Sequence, residues 1–235
     1  MSAVDAPPAP PASPRPAPAP RRHVMNGEEW LASLGGVPLR RVMFDPWPGT
    51  ATEADLLAKV DGDEKRLCEL VNETLLEKPM GMCEADIGGD MSFHLKLWNR
   101  DNGNRFKITP ADSTLRMATV NRIRLPDVCV FSRSRLPGGK LPPEKVPAIS
   151  PDLVVEVLSE SNTKSEMRQK LREYFANGTR LAWYVDPATR SVAVYTADAD
   201  EPANVLRDGD TLTGGDLLPG FELALATLFA DVPGE

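Results

Sequence analysis

Cysteine and histidine are nearly missing from this chain. Cys68, Cys83 and Cys129 are an odd count with no paired spacing along 235 residues. That excludes a disulfide framework and fits reduced thiols in a cytoplasmic protein. The histidines, His23 and His94, are too few for a cysteine/histidine zinc site. No apolar run approaches the roughly 20 residues a membrane helix needs, so no membrane partner is expected. Positive charge is short as well. The net charge of −7 argues against a protein that coats nucleic acid by bulk attraction. A local exception is Arg116, Arg122, Arg124, Arg133 and Arg135, crowded into twenty residues; such a cluster is either a solvated face or a track for phosphates.

Proline and alanine, by contrast, dominate the start. Residues 1–24, MSAVDAPPAPPASPRPAPAPRRHV, lack the apolar core of a signal peptide. They read as a disordered tail, because Pro-rich chain stays extended and solvated. Residues 25–60 form a lead-in packing on the core, with short helices in GEEWLASL and in ATEADLLAKV, the second capped by Thr52. Residues 61–235 read as one mixed α/β domain. RLCELV and TLLEKP are strands joined at Asn72-Glu73, a pair without the glycine that best suits a two-residue hairpin. MCEADIGGDMSFHLKLW reads as a helix weakened by Gly88-Gly89. FKIT, TLRMAT and VNRIRLPDVCVF are strand-like, the last interrupted at Pro126, and DLVVEVL is a buried strand. Thr163 to Asn177 is the clearest helix, with Thr163 and Glu166 at capping-box spacing and Gly178 as the stop. RLAWYVD and SVAVYT are strands around the turn DPATR, and LLPGFELALATLF is a turn followed by a short helix.

The chemistry starts from PDLVVEVLSESNT, residues 151–163, where Glu156 interrupts a run of branched apolar residues. An unpaired buried carboxylate costs several kcal/mol or more, so the charge needs a partner. Asp127, entering the strand Val128 to Phe131, is the second acid on an apolar strand. Two carboxylates converging from neighbouring strands suit a hard divalent cation such as magnesium. A lone strand glutamate equally fits an exposed edge or an arginine partner. Lys170 falls at the border of the buried helix face, beside Met167 and Tyr174. There its amine either reaches the end of the preceding strand or snorkels to solvent over apolar surface.

Four segments in order, CELVNETLLEKPMG, VNRIRLPDVCVF, PDLVVEVLSESNTKSEMRQKLREYFANGTRLAWYVDP and LLPGFELALATLF, resemble the bacterial Uma-type family. Its members carry the description "putative restriction endonucleases" within the PD-(D/E)xK nuclease superfamily. The resemblance runs from about residue 30 to 229. It implies a restriction-endonuclease-like core, a central mixed β-sheet flanked by helices. It also implies magnesium, with manganese as a substitute, held by an aspartate and a glutamate on adjacent strands. Asp127 in RLPDV and Glu156 in LVVEVLS match those acids. The superfamily's lysine lies two positions after the second acid, where this chain has Leu158; the family supplies the amine from the next helix, matched by Lys170 in RQKLREYF. Glu84 matches an acid at the start of the family's first helix that completes the metal shell, although the helix dipole alone favours an acid there. The family tends to have Asp-Gly where this chain has Asn72-Glu73.

The implied activity is magnesium-dependent endonucleolytic hydrolysis of DNA phosphodiester bonds, with a homodimer expected by analogy. The alternatives are a nuclease fold that binds without cutting and a nuclease acting on RNA. Retention of Asp127, Glu156 and Lys170 together favours the enzyme.

Overall fold

The computed structural model describes residues 25–63, 65–78, 81–111, 113–196 and 201–232. The Pro-rich tail read at 1–24 lies outside them. Two short helices come first, α1 (Gly27–Ser33) and α2 (Glu53–Asp61), followed by the hairpin β1 (Cys68–Val71) and β2 (Thr74–Glu77). The long helix α3 (Met82–Asp101) precedes β3 (Phe106–Thr109), β4 (Leu115–Met117), β5 (Arg122–Arg124), β6 (Val128–Ser132) and β7 (Leu153–Val157). Helix α4 (Lys164–Ala176) leads to β8 (Leu181–Asp186), β9 (Ser191–Thr196), β10 (Asn204–Arg207), β11 (Thr211–Gly214) and β12 (Leu218–Ala224). A single turn, α5 (Leu225–Leu228), ends the described chain.

A six-stranded sheet in the order β10-β9-β8-β7-β6-β3 forms the centre. Strands β7 and β8 run parallel and every other pair is antiparallel, so the sheet is mixed. A parallel pair needs a crossover, and α4 supplies it. Strand β7 lies between β6 and β8 with all its residues buried, which is why its sequence reads as a nearly unbroken apolar run. Because side chains alternate across a strand, Leu153, Val155 and Val157 pack with Ile87, Met91 and Leu95 of α3 and with Phe221 of β12. Val154 turns the other way, onto Met167, Leu171 and Tyr174 of α4. Glu156 shares that parity, and so faces α4.

A second sheet, β2-β1-β5-β4, packs Leu70, Leu75 and Ile123 against Leu56 of α2. The stretch VNRIRLPDVCVF is therefore not one interrupted strand. Its first half, β5, belongs to the four-stranded sheet and its second half, β6, to the central one. LLPGFELALATLF also differs from the reading above: most of it is strand β12, paired antiparallel with β11, and only its end is helical. Strands β10 and β11 are four residues each, β10 largely exposed and β11 with Leu212 as its one large buried side chain, so neither carries an apolar alternation long enough to announce it.

The hairpin turn forms without glycine. Val71 pairs with Thr74, and both intervening residues have positive φ, 48° at Asn72 and 55° at Glu73, as a type I′ turn requires. Tertiary bonds hold it: Asn72 Nδ2 donates to Ser33 O at 3.1 Å, and Arg122 Nη2 donates to Asn72 Oδ1 at 3.0 Å. Left-handed backbone strains a residue with a Cβ by about 1–2 kcal/mol. Glu73→Gly is therefore expected to stabilise the fold by about 0.5–1 kcal/mol after the entropy glycine adds to the unfolded chain. A thermal melt checks it; a lower midpoint would show that the strain is already relieved.

Helix α4 is capped as expected at Thr163, whose hydroxyl accepts from Glu166 N–H at 3.0 Å. The capping box is not closed from the other side. The Glu166 carboxylate is fully buried and takes two bonds from Arg41, both 2.8 Å. A bidentate guanidinium outbids a single backbone N–H for a buried carboxylate.

Candidate active site

Asp127 and Glu156 are brought together by strand pairing. Val128 pairs with Val155 in the β6–β7 ladder, so Asp127, just before Val128, and Glu156, just after Val155, lie close together where the pair ends. Two backbone-linked bonds fix the corner: Asp127 N donates to Val155 O at 3.0 Å, and Val157 N donates to Asp127 Oδ2 at 2.8 Å. Like charges held this close on neighbouring strands repel, and both residues are buried. A cation must therefore lie between them. In this fold it is Lys78, at the end of β2, with Nζ 2.8 Å from Asp127 Oδ1 and 3.6 Å from Glu156 Oε2.

Lys170 reaches Glu156 from the α4 side, as the family resemblance implied. Its Nζ lies 3.1 Å from Glu156 Oε1 and 2.8 Å from Glu69 Oε1. The residue is fully buried, so the amine does not snorkel. Tyr174, one helical turn on, donates its hydroxyl to the same Glu156 oxygen. Glu69 continues the series by pairing with Arg124 at 2.8 Å, and Arg124 Nε pairs with Glu173 at 2.7 Å. The result is an unbroken alternation of sign: Glu173, Arg124, Glu69, Lys170, Glu156, Lys78, Asp127. It runs from α4 through the β1–β5 seam to the end of the β6–β7 pair.

The surroundings fix the charge states. Burial disfavours the Lys170 ammonium, but Glu156 and Glu69 outweigh it and raise its pKa above the ordinary 10.5. Burial likewise opposes the Lys78 ammonium, and Glu156 and Asp127 overcome it and raise that pKa. Glu69 is the mirror case: burial would raise its pKa, yet Lys170, Arg124 and Lys78 pull it below the ordinary 4.5. Burial and Glu156 push the Tyr174 phenol well above its usual range, which keeps it a donor. Both lysines are thus fixed cations at neutral pH and unsuited to act as general bases.

These shifts set the pH dependence of stability. The Glu69 contribution is complete above 4.5 and is lost as the pH falls below it toward the lowered folded value. The Lys170 contribution is complete below 10.5 and is lost as the pH climbs past it. Thermal midpoints are expected to be flat from about pH 6 to 9 and to drop steeply in acid. Melts across that range test this, and an undiminished midpoint at pH 3 would contradict it.

Glu84 lies in the first turn of α3. A side chain at Gly81 would meet its Oε2 at 2.2 Å, so the carboxylate is turned back over its own helix start, as dipole and orphan N–H groups favour. Glu84 nevertheless lines one small cavity together with Asp127, Glu156, Lys170 and Lys78. The cavity measures about 10 Å³, room for about one water-sized body. Glu84, Ser159 and Asn162 also line a cleft of about 570 Å³ walled by α4 and by Tyr184, Asp186 and Tyr195. These three residues border both the cleft and the cavity at the acids.

Among the described residues, no three His, Cys, Asp or Glu side chains group as a metal site. The donor set is the Asp127–Glu156 pair. That fits magnesium, which keeps most of its waters and takes one or two protein carboxylates, and the pair already converges on one cation.

The arginine cluster has a different role from the phosphate track considered above. Arg124 is fully buried within the alternating chain. Arg122 pairs with Glu173, Arg116 with Glu53, and Arg135 with Asp152. Arg133 donates to the carbonyls of Asn104 and Gly139. These guanidiniums hold segments of the fold to one another.

Sequence reasoning missed Glu69, Lys78 and Tyr174. Glu69 carries the same signal as Glu156, an acid inside a buried strand, in CELV. Lys78 had no comparable signal, since its partners are 49 and 78 positions away.

A central mixed sheet with helices on both faces defines a mixed α/β fold. A solved structure described as "a putative nuclease belonging to DUF820 from Anabaena variabilis" shares it, with a TM-score of 0.61 at 18% identity over 71% of this chain and 91% of that one. The chain belongs to the Uma2 family, described as "Putative restriction endonuclease", which matches residues 54–226. No curated protein matches it. Among the described residues, no helix is long and apolar enough to cross a membrane.

Proposed function

We propose that this protein is a magnesium-dependent endonuclease that hydrolyses phosphodiester bonds of DNA. The observation that carries the reading is the buried Asp127–Glu156 pair at the end of β6 and β7, sharing a single cation, Lys78. Asp127 and Glu156 would hold the ion, with Glu84 at the edge of the same cavity. A divalent ion bound there would polarise a phosphoryl oxygen and acidify a water. The Val157 N–H fixes one Asp127 oxygen, and Lys170 and Tyr174 fix one Glu156 oxygen, so each acid keeps its remaining oxygen for the cavity. Lys170 lines that cavity as a permanent ammonium and would stabilise charge developing on the phosphoryl group. Cutting both strands of a duplex would take two copies of the chain, so a homodimer belongs to this reading.

One observation favours a second reading, a nuclease-fold module that binds without cutting: the protein's own lysines already compensate both acids. Incubation with plasmid, single-stranded DNA and RNA, each with and without magnesium or manganese, separates the readings. Metal-dependent cleavage of DNA supports the endonuclease. Binding without cleavage supports the module, and cleavage confined to RNA would redirect the substrate. Because the clustered arginines are engaged within the fold, DNA affinity is expected to fall only shallowly with salt, well short of the roughly 10³-fold or more that six phosphate contacts would give between 50 and 200 mM.

A further inference from the structure

Lys78 differs from the other members of the alternating chain. Its side chain is 11% exposed, against 2% for Lys170 and 0% for Arg124. Lys170 joins two carboxylates deep in the fold, and removing it would strand both. Lys78 lies next to the Asp127 end of the series, where it also donates to the Leu125 carbonyl. A lysine stem there is flexible enough to carry its ammonium out to water.

We infer that Lys78 is a built-in counter-ion occupying the position of the divalent ion, and that it must swing out for that ion to bind. This inference rests on the metal site proposed above. Charge balance supports displacement over coexistence. The carboxylates Asp127, Glu156, Glu69 and Glu173 are matched one for one by the cations Lys78, Lys170, Arg124 and Arg122. A divalent ion in place of Lys78 adds one positive charge to the set. The same ion beside Lys78 adds two, which is costlier away from water. Space argues the same way, since the cavity of about 10 Å³ has no room for an ion with its waters while the ammonium remains. Lys78 therefore holds the two acids together until the ion takes its place, and it sets how much metal is needed to load the site.

The test uses manganese alone, without nucleic acid. Calorimetric titration of the parent, Lys78→Gln and Lys78→Arg is expected to show about tenfold tighter binding in Lys78→Gln, because one competing charge is gone, and no tightening in Lys78→Arg. A second measurement needs no substitution and stands even if Lys78→Gln fails to fold. Acetylation of the parent with an amine-reactive reagent, read by peptide mass spectrometry, is expected to modify Lys78 several-fold faster with saturating manganese, while Lys170 stays protected. Equal or weaker binding in Lys78→Gln, or acetylation of Lys78 unchanged by manganese, would overturn the inference. Its failure is separable from that of the nuclease reading. Tightened binding in a chain that cuts nothing keeps the gate and loses the endonuclease, whereas cleavage with unchanged affinity loses the gate alone.

Discussion

Arg124→Met is expected to destabilise the fold by about 3–5 kcal/mol, the cost of stripping one partner from a buried charge network. That is a large share of the roughly 5–15 kcal/mol that holds a typical domain together, so the variant should be poorly folded at physiological temperature. The guanidinium is wholly buried and holds Glu173 through Nε and Nη2 and Glu69 through Nη1. Without it, Glu69 retains Lys170 and the Leu125 N–H, while Glu173 is left with the partly exposed Arg122. A compensating change sharpens the expectation. Arg124→Met combined with Glu173→Met removes one charge of each sign and leaves Glu69, Lys170, Glu156, Lys78 and Asp127 still alternating. The double variant should recover part of the loss, since replacing a complete buried pair by apolar residues is often neutral or better. Denaturant unfolding of the parent, both single variants and the double measures the coupling. Additive losses would mean that the network is not energetically connected.

Asp127→Asn is expected to lower metal-dependent cleavage by about 10³-fold, corresponding to about 4 kcal/mol of transition-state stabilisation, while leaving the fold largely intact. The amide oxygen can still accept from Val157 N–H, and Lys78, the group it deserts, can turn to solvent. Loss of a metal-binding carboxylate thus separates here from loss of structure. Glu156→Gln is the less clean probe, because it also disturbs Lys170 and Tyr174. Activity unchanged in Asp127→Asn, measured on plasmid with magnesium, would place any cleavage at another site or in a contaminant.

The parts of this architecture legible in the sequence are those that residue pattern dictates locally. The unbroken apolar run of β7, the cap and glycine stop of α4, and the two strands after it all follow from spacing. Asp127 and Glu156 were visible as acids attached to apolar strands, although their meeting depends on which strands pair. Strand β12 was misread because its Pro-Gly pair signals a turn, while its partner β11 is only four residues long with a single large apolar side chain, Leu212. The ion pairs of the arginines are hidden from the sequence for a different reason. Sequence shows their crowding but not that the acids answering them, Glu53, Glu69, Asp152 and Glu173, arrive from four other elements. The Asn72-Glu73 turn shows the reverse, with tertiary bonds imposing a geometry the local sequence disfavours.

Manganese binding to the metal-free chain, followed by electron paramagnetic resonance, tests most directly whether Asp127 and Glu156 share a divalent ion. One ion per chain is expected for the parent, with its signal lost when both Asp127→Asn and Glu156→Gln are introduced. No bound ion in the parent, or an ion that survives both substitutions, would contradict the site.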